Sequence, residues 1–269
     1  PEGKPPKHPA KFTKQILETI QGELANIISQ SPDKDDWYLI DPFGGVGGVF
    51  GLHAVESLPE LAHREIHLNI YCVEMEPEWA EQGAHHPQYN SFYDFIHTMD
   101  FFKYADYLLH GELFDVAATS CTYGNRMADH HEATDSSIRN TYRHKLGRPL
   151  TENNSGMMQW GDEYRDFHRR AWQTIWDLLE PGGYFILNVK DHIRQGEKQP
   201  VSKWHDVTCR SIGFELDSHI RVGVTGNRQG ENHEARVDHE NVYVYRKPLQ
   251  TAGTKERVGY AEQRLMKGG

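Results

Sequence analysis

Short apolar segments alternate with segments of helical periodicity along most of the chain. The predicted strands lie at residues 37–41, within 90–98, and at 66–74, 113–119, 184–189, 214–222 and 239–246. Helical segments separate all of them except the last two, and parallel strands need such crossovers whereas antiparallel strands do not. The pattern therefore predicts an α/β fold with a seven-stranded, mostly parallel sheet, helices on both faces and an antiparallel C-terminal hairpin.

The periodicity is lost only between residues 124 and 160, which are polar, basic and rich in Gly and Asn. We therefore predict a single domain over residues 1–247 and a polar tail over 248–269. Within the domain, residues 124–160 are predicted to be an insert that recognises the substrate. The chain has no internal repeat.

Charge and cysteine content narrow the class of protein. The 269 residues include 29 Lys and Arg against 39 Asp and Glu, a formal net charge of -10. Such a charge argues against global attraction to nucleic acid. No run of about 18 apolar residues predicts a membrane span, and the first residues lack the apolar stretch of a secretory signal. Three widely spaced cysteines fit neither a disulfide framework nor a CxxC metal site, so we expect a reduced, cytoplasmic protein.

A glycine cluster follows the first predicted strand, in the sequence Asp41-Pro42-Phe43-Gly44-Gly45-Val46-Gly47-Gly48. Glycines at such a turn let backbone N–H groups approach a ligand, and Glu74 ends the next strand, where a ribose-binding carboxylate is expected. The pair predicts an adenosine-containing cofactor; the alternative is a closely packed strand–helix turn. No Lys follows the glycines, which disfavours ATP or GTP.

The segment DPFGGVGG resembles the DPFxGxG motif of S-adenosylmethionine-dependent DNA amino-methyltransferases. The segments HPAKF (8–12), VEMEP (73–77) and LLEPGGYFILNVKD (178–191) resemble further segments of that family, and Asp100 matches its third acidic position. The resemblance implies a Rossmann-like class I methyltransferase fold and S-adenosylmethionine as cofactor. The cofactor-binding residues that it implies are His8, Pro9, Phe12, Asp41, Phe43, Gly45, Gly47, Glu74, Met75, Asp100 and Phe101.

The family's catalytic motif, [DNS]PP[YF], corresponds here to Ser120-Cys121-Thr122-Tyr123, with both prolines replaced. By resemblance, the Ser120 hydroxyl and the Cys121 carbonyl accept hydrogen bonds from an exocyclic amine, while Tyr123 stacks on a flipped-out base. The implied reaction is in-line methyl transfer to cytosine N4 or adenine N6 of DNA, and Ser in the first position leans towards cytosine.

Cys121 leaves a second mechanism open, because cytosine C5 methyltransferases use a thiolate in this loop. Those enzymes carry Pro before the cysteine, whereas Ser120 stands there in this chain, so a packing or backbone role is favoured. Two further alternatives are an RNA methyltransferase on the same fold and a cofactor-binding regulatory protein without catalysis.

The insert carries a local excess of positive charge. Residues 126–148 contain five Arg and Lys residues against three Asp and Glu residues. Basic residues interleaved with amides and an aromatic suit contact with phosphates and bases, so we predict double-stranded DNA as partner; the alternative is a solvated surface loop. The predicted contacts are Asn125, Arg126, Arg139, Asn140, Tyr142, Arg143, Lys145 and Arg148.

Two further expectations concern metal and source. Adjacent histidines, as at His130 and His131, rarely converge on one ion, so no metal site is predicted. The polar stretches GNRMADHH and RNTYRHKLGR resemble those of bacteriophage-encoded DNA methylases, which favours a viral source. Whether the protein is a monomer or a homodimer is left open.

Overall fold

The computed structural model describes residues 12–108, 113–124, 142–194, 196–223 and 237–249. Its α-helices are α1 (Lys14–Ser29), α2 (Pro77–Ala84), α3 (Phe101–Leu108), α4 (Tyr142–Leu146), α5 (Asp162–Leu178) and α6 (Val201–Ile212). Its strands are β1 (Asp36–Asp41), β2 (His67–Glu74), β3 (Phe95–Thr98), β4 (Phe114–Ser120), β5 (Leu179–Val189), β6 (His192–Arg194), β7 (Glu197–Gln199), β8 (Glu215–Gly223) and β9 (His239–Arg246). Two 3₁₀ helices span Gly48–Ser57 and Ser155–Met157.

Seven of these strands form one sheet, in the order β3-β2-β1-β4-β5-β9-β8. The first five strands pair in parallel, whereas β9 pairs antiparallel with both β5 and β8. The predicted seven-stranded sheet with an antiparallel C-terminal hairpin is confirmed. Because β9 runs antiparallel to β5, its first residues lie beside the carboxyl end of β5, one strand away from β4.

Apolar side chains cover both faces of the sheet. On one face, Ile20 and Leu24 of α1 pack with Val116 and Ala118 of β4 in one cluster. The intervening Ala117 belongs to the cluster on the other face, which includes Trp172 of α5. This alternation follows from the two-residue period of a strand and explains why the central strands read as continuous apolar runs.

Several element predictions differ from the structure. Pro181-Gly182-Gly183 was expected as a turn but lies within β5, where Gly182 has φ +86° and the pairing with β4 skips from Leu179 to Tyr184. The segment after the glycine cluster is a 3₁₀ helix. The small β6–β7 hairpin was missed, because three-residue polar strands carry no apolar alternation.

The helices of the described residues are all too short or too polar to cross a bilayer. The tail beyond residue 249 lies outside the described ranges.

Candidate active site

A cleft opens beyond the carboxyl ends of β1, β2 and β4, with about 880 Å³ of empty volume including its open mouth. Ligands bind at this edge in open parallel sheets. The predicted site residues that line it are Phe12, Asp41, Phe43, Gly45, Glu74, Met75, Asp100, Phe101, Ser120, Cys121 and Thr122. His8 and Pro9 lie outside the described residues, and Gly47 and Tyr123 are not among the lining residues.

The glycine loop is folded tightly against β2. Gly44 donates its backbone N–H to the Val73 carbonyl at 2.9 Å, and a Cβ atom on Gly44 would collide with Cys72 Sγ. Gly47 adopts φ +74°, a left-handed conformation that L-residues with side chains rarely take. The glycines therefore meet local steric demands of the turn, and the turn leaves Gly45 at the cleft.

Asp41 braces the start of this loop. Its Oδ1 accepts hydrogen bonds from the Phe43 N–H at 3.0 Å and from Thr119 Oγ1 at 2.7 Å. Burial raises the pKa of Asp41 to about 6, although both hydrogen bonds act to lower it. The carboxylate thereby joins the ends of β1 and β4 at the floor of the cleft.

Glu74 presents a buried carboxylate to the cleft. Oε2 accepts the Gly45 N–H at 2.8 Å, and Oε1 accepts the Glu76 N–H at 2.7 Å. Burial raises the pKa of Glu74 to about 8. A carboxylate has about four lone-pair positions, so two remain for hydroxyl donors of a ligand.

Asp100 immediately precedes α3 and lines the same cleft. Its Oδ1 caps the helix by accepting the N–H groups of Phe102 at 2.8 Å and Lys103 at 3.2 Å. The cap uses Oδ1 and leaves Oδ2 for a donor in the cleft. Phe101 packs edge-on against Phe43, with ring centroids 6.1 Å apart, and forms an apolar wall beside it.

Ser120 ends β4 opposite Asn188 of β5. Its Oγ accepts a hydrogen bond from Asn188 Nδ2 at 3.0 Å and lies 3.2 Å from the Tyr123 hydroxyl. Tyr123 packs against the core with its ring and donates its hydroxyl to Glu240 Oε2 at 3.1 Å. The Tyr123 side chain is half-buried and held by these contacts, and its base-stacking role stays a prediction.

A buried chain of hydrogen bonds holds the carbonyl of Thr122. An indole N–H can only donate, so Trp172 Nε1 donates to His205 Nδ1 at 2.8 Å and the proton of neutral His205 is on Nε2. His205 Nε2 then donates to the Tyr164 hydroxyl at 2.9 Å, which donates to the Thr122 carbonyl at 2.5 Å. Burial holds the pKa of His205 well below its usual value, as this direction of donation requires. None of these three partners is part of the sequence motif.

Cys121 lies at the cleft but is only 3% exposed. Its Sγ is 3.9 Å from His205 Nε2, and burial raises the pKa of the thiol to about 12. A nucleophilic cysteine needs a depressed pKa, so this environment disfavours the thiolate mechanism.

Two residues predicted to contact nucleic acid are placed differently. Tyr142 is buried at the cleft, edge-on to Trp79 with centroids 5.4 Å apart. Arg148 binds Glu78 Oε1 at 2.8 Å through Nε and Glu76 Oε2 at 2.7 Å through Nη2. Both side chains are therefore engaged within the protein, Tyr142 by Trp79 and Arg148 by the carboxylates of Glu76 and Glu78. Lys145 is half-buried. Asn125, Arg126, Arg139, Asn140 and the side chain of Arg143 lie outside the described part.

Glu76 was missed at the sequence level, although it belongs to the VEMEP segment. It is 0% exposed and accepts hydrogen bonds from Thr151 N and Oγ1, at 2.8 and 3.0 Å, and from Asn154 Nδ2 at 2.8 Å. These contacts bring Asn154 and Ser155 to the cleft beside Ser120, Cys121 and Thr122, where Thr122 Oγ1 donates to the Ser155 carbonyl at 3.2 Å.

In the part of the chain that the structure describes, no group of three His, Cys, Asp or Glu side chains is arranged to hold a metal ion. His130 and His131 lie outside that part.

Comparison with known proteins identifies the fold. No family model and no curated protein sequence matches the chain. Among solved structures, a candidate class I S-adenosylmethionine-dependent methyltransferase of Listeria monocytogenes superimposes with a TM-score of 0.52 at 12% identity, covering 95% of this chain and 66% of that one. A candidate RNA methyltransferase of Pyrococcus horikoshii gives a TM-score of 0.47 at 10% identity, covering 86% and 85%. The chain thus spans slightly less than two thirds of the first structure, and its fold is that of class I methyltransferases.

Proposed function

We propose that the protein transfers a methyl group from S-adenosylmethionine to an exocyclic amino group of a DNA base, at cytosine N4 or adenine N6. The observation that carries this proposal is the position of Ser120, a hydrogen-bond acceptor, in the same cleft as the glycine loop and Glu74. One cleft thereby contains groups suited to an adenosine cofactor and a group suited to an amine.

The residues of the cleft fit the cofactor. Glu74 would accept hydrogen bonds from the ribose hydroxyls, Asp100 would accept one from the adenine amino group, and Met75 and Phe101 would supply apolar surface for the ring. When bound, S-adenosylmethionine supplies an electrophilic methyl group on a positively charged sulfur. The buried carboxylate of Asp41 at the same cleft favours a cation.

The acceptor side of the cleft supports amine chemistry over carbon methylation. Ser120 Oγ accepts a hydrogen bond from the amine and directs the nitrogen lone pair towards the methyl group, while the held Thr122 carbonyl keeps the loop in one conformation. Such positioning accounts for most of the lowering of the activation barrier in a one-step displacement. The raised pKa of the Cys121 thiol argues against attack at cytosine C6.

DNA as the substrate rests on the sequence motifs and on the basic residues of the insert. With Tyr142 and Arg148 engaged inside the protein, Lys145 and the residues outside the described ranges must supply the nucleic-acid contacts. A phage source and a cytoplasmic location are part of the same proposal. The three free, buried cysteines support a reducing compartment.

The test is transfer of a labelled methyl group to duplex DNA, single-stranded DNA and RNA, followed by nucleoside analysis of the product. We expect N4-methylcytosine or N6-methyladenine in DNA, and we expect Ser120→Ala to lower kcat by about 100-fold with the cofactor affinity unchanged. Label at cytosine C5, label in RNA alone, or no transfer by a protein that binds the cofactor would each overturn the proposal.

A further inference from the structure

A cluster of polar side chains surrounds Ser120. Its members come from β4, β5 and β9 and from Tyr123, in the loop that follows β4. Asn188 of β5 is 1% exposed, and its Nδ2 lies 3.0 Å from Ser120 Oγ, 3.2 Å from the Tyr123 hydroxyl and 2.9 Å from Glu240 Oε2. Glu240 comes from β9, which the sheet order places beside β5. Lys190 Nζ lies 4.0 Å from Glu240 Oε1, so the carboxylate is part of an ion pair.

The identity of these groups fixes the direction of their hydrogen bonds. A carboxylate only accepts, so the Asn188 atom that faces Glu240 is the amide nitrogen, and Tyr123 donates its one proton to Glu240 Oε2 at 3.1 Å. The second amide proton of Asn188 points to Ser120 Oγ. Ser120 therefore directs its own proton to the Tyr123 oxygen at 3.2 Å, and one Ser120 lone pair remains for the cleft.

We propose that Asn188 and Glu240 are positioning residues that hold Ser120 as an acceptor, and that Glu240 takes up the proton that the amine loses on methylation. This inference rests on the proposed function. Neither residue belongs to the catalytic motif, and both act through Ser120 and Tyr123.

The proton that the amine loses can reach Glu240 along these hydrogen bonds. As the nitrogen–carbon bond forms and the carbon–sulfur bond of a sulfonium donor breaks, the amine nitrogen becomes positively charged and gives one proton to Ser120 Oγ. Ser120 passes its proton to Tyr123, and Tyr123 passes its proton to Glu240 Oε2, which leaves a neutral secondary amine and a carboxylic acid. The Glu240 side chain is 13% exposed, so it can return the proton to solvent.

The same geometry restricts the substrate class. Ser120 offers the cleft a lone pair and no proton, so it selects a substrate atom that carries N–H or O–H. An atom with lone pairs alone finds no donor at Ser120.

Two nearly isosteric variants test the chain. Tyr123→Phe keeps the ring and removes the hydroxyl, and Glu240→Gln keeps the shape and removes the proton acceptor. Each should lower kcat for DNA methylation at least about tenfold, with KM and the cofactor Kd within about twofold of wild type. The double variant should be no slower than the slower single variant, because both break one chain. Glu215→Gln, on exposed β8, is the matched control and should be unaffected.

A second readout is independent of activity. In protein with labelled tyrosine rings, the buried Tyr123 hydroxyl should give a slowly exchanging proton resonance that is absent in Tyr123→Phe and shifted in Glu240→Gln. If Glu240→Gln does not fold, Tyr123→Phe still tests the chain.

Unchanged kcat in both variants of an active enzyme, or parallel losses in kcat, KM and cofactor affinity, would overturn the inference and leave the proposed function standing. A wild-type protein that binds the cofactor and methylates no nucleic acid would overturn both.

Discussion

Glu74 is the proposed ribose-binding residue, and its protonation state should determine how well it binds the cofactor. Its two carboxylate oxygens already accept two backbone N–H groups, and burial nevertheless raises its pKa to about 8. Ribose hydroxyls donate best to the ionised form. With a pKa of about 8, Glu74 is largely protonated in the free protein at neutral pH, and binding of the proposed cofactor to its carboxylate form would release that proton.

The affinity for the cofactor should therefore depend on pH. Because we propose that the carboxylate form of Glu74 binds the cofactor, the affinity should rise with pH until about pH 8, by up to about tenfold per pH unit. Glu74→Gln should weaken binding and remove this pH dependence, whereas Glu60→Gln on the exposed surface should do neither. Calorimetric titration from pH 6 to 9 measures both, and a variant that binds as tightly as wild type with the same pH profile would contradict the prediction.

Residues 142–160 are held at the cleft mainly through one carboxylate at the start of α2. Glu76, whose side chain is fully buried, accepts three hydrogen bonds from Thr151 and Asn154 and pairs with the partly exposed Arg148. Removing one member of such a network leaves the other polar groups buried and unpaired, which costs more than the network contributes relative to an apolar core. The wall of the cleft formed by Asn154 and Ser155 depends on this anchor.

We therefore expect Glu76→Ala to lower the free energy of unfolding by about 3 kcal/mol and to expose the backbone amides of residues 150–158 to hydrogen exchange. Glu78 is the matched control, because it binds the same arginine from a partly exposed position. Glu78→Gln should cost less than about 1 kcal/mol. Denaturant unfolding and hydrogen exchange measure these effects, and equal losses in the two variants would show that Glu76 is no special anchor.

Across the whole molecule, one buried ion pair links β2, the Gly48–Ser57 helix and the segment that leads to β3. His53 Nε2 lies 2.9 Å from Asp94 Oδ1, and Nδ1 lies 3.1 Å from Glu56 Oε1. Asp94 Oδ1 also accepts the Ile70 N–H at 3.3 Å. Burial acts to lower the pKa of His53, but the hydrogen bonds and charges of Asp94 and Glu56 outweigh it and raise the pKa to about 9.

Stability should follow this shift with a definite sign. The pKa of His53 is higher in the folded chain than its ordinary 6.5, so its contribution is fully present below pH 6.5 and is lost as the pH rises through about 9. After allowance for screening by solvent, we expect this loss to be about 1–2 kcal/mol. Chemical denaturation at pH 6 and pH 9.5 measures it against His53→Gln, in which the pH dependence over this window should shrink; an unchanged dependence would assign it to other groups.

Local patterns predict the strands, the glycine loop and the cleft residues because each depends on near neighbours. A short apolar run marks β4, a steric demand selects Gly44 and Gly47, and the motif around Ser120 is recognisable without its prolines. The same patterns mislead at Pro181-Gly182-Gly183, which lie within β5 and exchange backbone hydrogen bonds with Lys247, although the pairing with β4 skips them.

The partners of these residues follow instead from the sheet order. Glu240 lies 117 residues from Tyr123, and Thr151 lies 75 residues from Glu76, so no local pattern connects them. Tyr142 and Arg148 read as contacts for nucleic acid until the fold sets Trp79 and two carboxylates against them. Composition and periodicity thus predict which elements form and which residues line the cleft, whereas the roles proposed for Tyr123, Asn188 and Glu240 depend on which distant segments the packed sheet brings into contact.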